Sequence, residues 1–177
     1  MDLLMHLESL TFDFSPSCGH DHADIMYEGV AKTFYEELIL FMRRRPSLHT
    51  FIFHNSLESN NDAHHQPFLE YLLQDGSCPV QHVSLRTFCH VPLLGRQIDT
   101  LILIGCYEPD DQHFDKHMEM FINNLKTCVT NILDLSDFTF IQVSKTDNAL
   151  IDTMLQPGIF LGNVYKHPDL NYRRYNE

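Results

Sequence analysis

Apolar and polar positions alternate along the chain in blocks that predict a series of helices and strands. Val30, Ala31, Phe34, Leu38 and Phe41 recur at spacings of 1, 3, 4 and 3, which predicts a helix over about 22–45 with one apolar face. Asp21 and Asp24 suit its start and Arg43-Arg44-Arg45 its end, because each sign complements the nearer pole of the helix dipole. Pro46 stops it. Leu48 to His54 alternates and predicts a strand, followed by a polar loop over 55–65. Pro67 in a first helical turn and Gly76 beyond the end bracket a short helix over 66–75, with Phe68, Leu69 and Leu72 inward.

The centre is rich in β-formers. Val80 to Leu94 predicts one long extended segment, with Val83, Leu85, Thr87, Cys89 and Val91 on one side. His82, Ser84, Arg86, Phe88 and His90 take the other. Gly95-Arg96 is expected to form a tight turn, so that Gln97 to Tyr107 returns as a hairpin partner buried on both faces at Leu101–Ile104. A stripe of Phe114, Met118, Phe121, Leu125, Cys128, Val129 and Ile132 predicts a long helix over 111–134, near a heptad seam. A strand over 137–143, a short helix over 147–155, a strand at 159–161 and a surface tail from Tyr165 complete the expectation, with a short helix or strand between Leu3 and Phe14. The order predicts an α+β fold, a central antiparallel sheet flanked by helices. Residues 1–177 are expected to form one domain, with no internal repeat and no linker.

Composition narrows the function. The formal charge of −12 disfavours nucleic acid and anionic membrane surfaces as partners. No apolar run is long enough to span a bilayer, and the N-terminus lacks the basic and apolar regions of a signal peptide. Five cysteines at irregular spacing point to free thiols and a cytoplasmic setting. The 12 histidines would bring the charge from −12 to zero if all were protonated, which predicts lower solubility in mild acid, with a pH-responsive surface as the alternative.

Several residue groups could carry chemistry. Cys18, His20 and His22 alternate around Gly19 and Asp21, and thiolate plus imidazole suit zinc. His113 and His117 stand at i, i+4 near the start of the long helix, and such a pair can share a metal. His82-Val83-Ser84 has a His-x-Ser form, but a facing copy of that motif is missing, since His49-Thr50 has its Thr one place early. There is no Gly-x-Ser-x-Gly elbow, Walker loop or Gly-x-Gly-x-x-Gly fingerprint.

Cys89-His90-Val91-Pro92-Leu93-Leu94-Gly95-Arg96-Gln97-Ile98, then Leu101–Ile104, then Phe114-Asp115 ahead of a long helix, resembles the end of a GAF domain. The resemblance covers about 24–134 and leaves 135–177 as an extension. It implies a GAF/PAS-like regulatory module that binds a small molecule above its sheet and often dimerises. His82, Arg86 and His90 are then the residues placed to meet the ligand. One enzymatic subgroup of that family uses clustered cysteines, which Cys78, Cys89 and Cys106 would match, but its Gly-rich segment is missing here. Three function classes follow: a non-catalytic sensory or regulatory domain, an acidic adaptor or chaperone-like module that binds a protein or a second copy of itself, and a zinc protein built on Cys18, His20 and His22.

Overall fold

The computed structural model describes residues 6–12, 28–57, 62–87, 91–107, 114–140 and 163–166. Along them run β1 (Ser9–Phe12), α1 (Glu28–Arg43), β2 (Thr50–Leu57), α2 (Asp62–Gln74), β3 (His82–Thr87), β4 (Ile98–Tyr107), α3 (Phe114–Cys128), β5 (Val129–Phe140) and β6 (Asn163–Lys166). The six strands form one sheet in chain order, β1 to β6, and every neighbouring pair is parallel. The expected central antiparallel sheet, and with it the GAF/PAS-like architecture, is overturned.

The decisive difference lies between β3 and β4. Residues 91–97 do not turn the chain back; they carry it through the helix layer between α2 and α3. Val91 and Leu94 are buried there. Asn124 of α3 clamps Leu94 from both sides, accepting from its N–H at 2.7 Å and donating to its carbonyl at 2.9 Å. On the α2 side, Gln74 donates to the Leu93 carbonyl and the Gly95 N–H donates to Leu73. Gly95 is needed for closeness rather than for a hairpin turn, since a Cβ there would stand 3.1 Å from the backbone of Gln74. β4 therefore starts again at the same end of the sheet as β3.

A hydrogen-bond pattern recurs at the starts of β1 to β4. The Glu8 carbonyl accepts from His49 N–H (2.9 Å) and Thr50 N–H (3.0 Å). The His49 carbonyl accepts from Gln81 (2.8 Å) and His82 (2.9 Å), and the Gln81 carbonyl from Asp99 and Thr100 (both 3.0 Å). Each acceptor follows an apolar residue packed into the core: Leu7, Leu48 and Val80, with Ile98 next in the series. Three and five residues beyond these come Leu10 and Phe12, Phe51 and Phe53, Val83 and Leu85, and Leu101 and Leu103. The expectation of no internal repeat is corrected: an apolar-x-x-apolar-x-apolar unit recurs, hidden by inserts of unequal length.

Sequential parallel strands joined by right-handed crossovers place α1, α2 and α3 on one face of the sheet. The core agrees, because one buried cluster joins Leu38 and Met42 of α1, Phe68, Leu69, Leu72 and Leu73 of α2, and Phe121, Ile122 and Leu125 of α3 to the inward residues of the strands. Under the first two crossovers the cluster is aromatic, with Tyr35 stacked on Phe68 at 5.4 Å and Phe12 edging Phe34 at 5.6 Å. Arg45 closes α1 by donating to the Phe41 carbonyl at 3.1 Å while its guanidinium covers the Phe41 ring.

Element limits shift as well. β2 continues to Leu57 and α2 begins at Asp62, so the expected 55–65 loop is shorter and Pro67 lies inside the helix. The expected 111–134 helix stops at Cys128, and Val129 and Ile132 belong to β5. The tail expected on the surface contributes β6. The helix expected at 147–155 and the strand at 159–161 lie outside the described residues.

At the junction of α2 and β3, Arg96 donates to the carbonyls of Leu72 and Val80, closing the helix end and the strand entry together. Beside it, burial raises the Cys78 thiol above its ordinary value, and burial with the nearby Cys78 raises the Tyr71 phenol. Both groups are neutral in the fold and hold their protons more tightly than in the unfolded chain. Their contribution to stability is intact below the ordinary thiol value of 9.0 and is lost as pH rises toward the folded value. The urea midpoint therefore falls between about pH 8 and pH 10, and Cys78→Ala flattens that slope. Gly95→Ala lowers the unfolding free energy by about 1–3 kcal/mol. Gly76→Ala, where an added methyl meets nothing within 4 Å, changes it by no more than about 0.5 kcal/mol in the same assay.

Candidate functional site

Parallel sheets ordinarily have helices on both faces and read as continuous apolar runs. This one alternates. Residues directly paired across strands project to the same side, so strand register assigns the second face row by row. The first row is Ser9, Thr50, His82, Thr100 and Ile132. The next is Thr11, Ile52, Ser84, Ile102 and Asp134, and the third is Arg86, Ile104 and Asp137. Phe51, Leu101, Leu103 and Leu133 on the core face are fully buried, whereas Ile52, Ile102, Ile104 and Ile132 on this face stay partly exposed. Among the described residues, no helix packs against it. The expectation that Leu101–Ile104 is buried on both faces is thereby corrected.

The face is electrically polarised. His82 and Arg86 lie on β3, Asp134 and Asp137 on β5, and β4 between them presents Ile102 and Ile104. A bulge shapes the acidic side: Leu135 and Ser136 together stand opposite Leu103, as the register shift between Ile102 and Ile104 requires. The Asp134 carboxylate accepts from both the N–H (2.9 Å) and the hydroxyl (2.6 Å) of Ser136, which holds the bulge. On the other side, His82 Nδ1 lies 3.4 Å from the Asp99 carboxylate, which also accepts from the Thr100 hydroxyl at 3.0 Å.

One pair on this face has the residue types of a nucleophile and its base. His54 Nε2 lies 2.9 Å from Ser84 Oγ. A working pair also needs a group orienting the second imidazole nitrogen and donors for a developing oxyanion. Among the described residues no carboxylate bonds to His54. Asp134 shares the row of Ser84 but lies two strands away, roughly 10 Å. Ser84 is also buried. The pair clamps β2 to β3 where their register becomes irregular.

No protein-family model, curated protein or solved structure matches the chain. The sequence-derived candidates therefore stand on geometry alone. His82 and Arg86 share one face of β3, as the alternation predicts, and His90 lies outside the described residues. Cys18, His20, His22 and His113 also lie outside them, and His117 falls within α3 with its side chain outside them. Among the described residues no group of three or more His, Cys, Asp or Glu side chains is placed to hold a metal. None of their helices is long and apolar enough to cross a membrane. The isoleucines of β4 and the aspartates of β5 were missed by the sequence reading. Their signal was the alternation of Leu101 and Leu103 with Ile102 and Ile104, which resembles a doubly buried run because all four are aliphatic.

A double-mutant cycle measures the His54–Ser84 clamp. Ser84→Ala and His54→Ala each lower the unfolding free energy by about 1 kcal/mol. The double variant loses less than the two losses added together, because they share one bond.

Proposed function

We propose that this chain is a protein-interaction module and that its docking surface is the second face of the parallel sheet. The observation that carries the reading is the strand order. Six parallel strands in chain order keep α1, α2 and α3 on one side, and among the described residues the other side is a partly apolar surface. Repeat proteins of this architecture contact only their neighbours within the chain and use the extended sheet surface to bind partners. The repeated unit supports the same reading. Ile98-x-x-Leu101-x-Leu103-x-x-Cys106 resembles the leucine-rich repeat pattern, which places apolar residues at the first, fourth and sixth positions and Asn or Cys at the ninth. The uneven spacing of Leu7, Leu48, Val80 and Ile98 departs from that family, whose repeats hold about 20–29 residues.

The chemistry of the face fits a folded protein surface. Isoleucines at its centre supply apolar area, and charges of both signs at its flanks fix orientation and exclude mismatched partners. The adaptor reading of the acidic composition is the one this surface supports. A photo-crosslinking residue in place of Ile102 or Ile104 is expected to form protein adducts in cells. The same residue in place of Met120, half exposed on α3, is expected to form none. Adducts from Met120 alone, or from no position, would overturn the assignment.

A further inference from the structure

We propose that the partner of this face is a second copy of the chain, stacked sheet to sheet about a two-fold axis that runs along β4. The inference rests on the face being a docking surface and adds the identity of what docks.

The argument is one of register. A two-fold axis along β4, lying between two facing sheets, sets β4 over β4 and exchanges the two flanks. β3 of each protomer then lies over β5 of the other, at the same height along the strands. Arg86, Ile104 and Asp137 occupy one row across β3, β4 and β5. Ile104 of one protomer thus meets Ile104 of the other, and each Arg86 meets the other's Asp137. In the neighbouring row, Ser84, Ile102 and Asp134 behave alike. Ile102 meets Ile102, and each Asp134 lies over the β3 of the other protomer, where Ser84 is buried and adds no like charge.

Within one chain Arg86 and Asp137 are two strands apart, about 10 Å, with Ile104 standing between them. Among the described residues neither has an ionic partner in its own chain. Facing sheets stack about 10 Å apart, a gap that an Arg and an Asp side chain together can span. An axis lying across the strands would instead set β3 on β3 and β5 on β5, bringing like charges together. The axis along β4 pairs every charge in the Arg86 row with its opposite, as a self-complementary two-fold interface requires.

The sizes agree with a reversible dimer. An axis along β4 overlays β2 to β6, about 20–25 Å across, and the three rows span about 13 Å, so two faces together bury roughly 700 Å², in the range of weak, transient association. Sheet twist offsets facing strands by about 30°, which concentrates the contact on β3, β4 and β5.

Sedimentation equilibrium of the full chain across micromolar concentrations tests the proposal. The mass is expected to rise from one chain to two. Arg86→Asp and Asp137→Arg should each shift the midpoint at least about tenfold toward higher concentration. The double variant R86D/D137R, which reverses both partners, should return it to within about threefold, a rescue that a merely structural role would not produce. Arg86→Gln and Asp137→Asn remove charge without reversing it and should weaken association in the same direction, which keeps the test open if a reversed variant fails to fold. A wild-type chain that stays monomeric, or a folded double variant that does not recover, overturns the second-copy proposal. If the chain is monomeric yet the probe at Ile104 links to a different protein, the docking surface stands and the two-fold partner falls. If it is monomeric and that probe links to nothing, both fall.

Discussion

Three backbone carbonyls, those of Glu8, His49 and Gln81, each accept two consecutive N–H groups from the next unit of the chain. The rest of the architecture depends on this repeated contact. It aligns every unit at the same height, so the apolar positions that follow each acceptor arrive on the same side of the sheet. With the strands in phase and the order sequential, the crossovers through α1, α2 and α3 place these helices on that side. The core is then a single continuous layer, and the opposite surface is defined by what the helices do not cover. A shift of one residue at any of these contacts would exchange the faces of the following strand and bring Ser84 or Ile102 into the core.

Much of the local structure was legible in the residue pattern, and the connection between strands was not. The two sides of β3 follow directly from alternation: Val83 and Leu85 are buried while His82 is exposed. The inward side of α2 follows from Phe68, Leu69 and Leu72. Strand direction is different, because a glycine between two β-rich segments is compatible with a reversal or with a close crossing. Only the packing of Gly95 against Gln74 separates the two. The limit between α3 and β5 was hidden for a similar reason. Val129 and Ile132 continue the helical stripe of Phe121 and Leu125 in phase, although their backbone has become extended. The repeat escaped notice because the inserts between units differ in length. Its constant part is short, and it becomes visible once the carbonyl contacts are aligned.

The candidate site shows the same division. The polar side of β3 was readable and supplied His82 and Arg86. What gives those residues a context, the isoleucines of β4 and the acids of β5, depends on which strands lie adjacent and in which direction they run. In an antiparallel hairpin the same residues would have been assigned to different rows. The polarity of the face is thus a property of the topology as much as of the composition. The net charge of −12 would not suggest a surface that sets an arginine on β3 in the same row as a carboxylate on β5.

The passage of residues 91–97 through the helix layer has a mechanical meaning. A full helix couples β1 to β2, β2 to β3 and β4 to β5, and α1 and α2 also pack on each other. Between β3 and β4 that role falls to a short extended splice, tied to α3 through Asn124 and to α2 through Gln74, Leu73 and Arg96. β3 and β4 are therefore joined on the sheet side by six paired residues and on the helix side by this splice. A displacement of α2 is thus passed to α3 through the hydrogen bonds of Leu93, Leu94, Gly95 and Arg96, with seven residues of chain standing where a packed helix would otherwise transmit it.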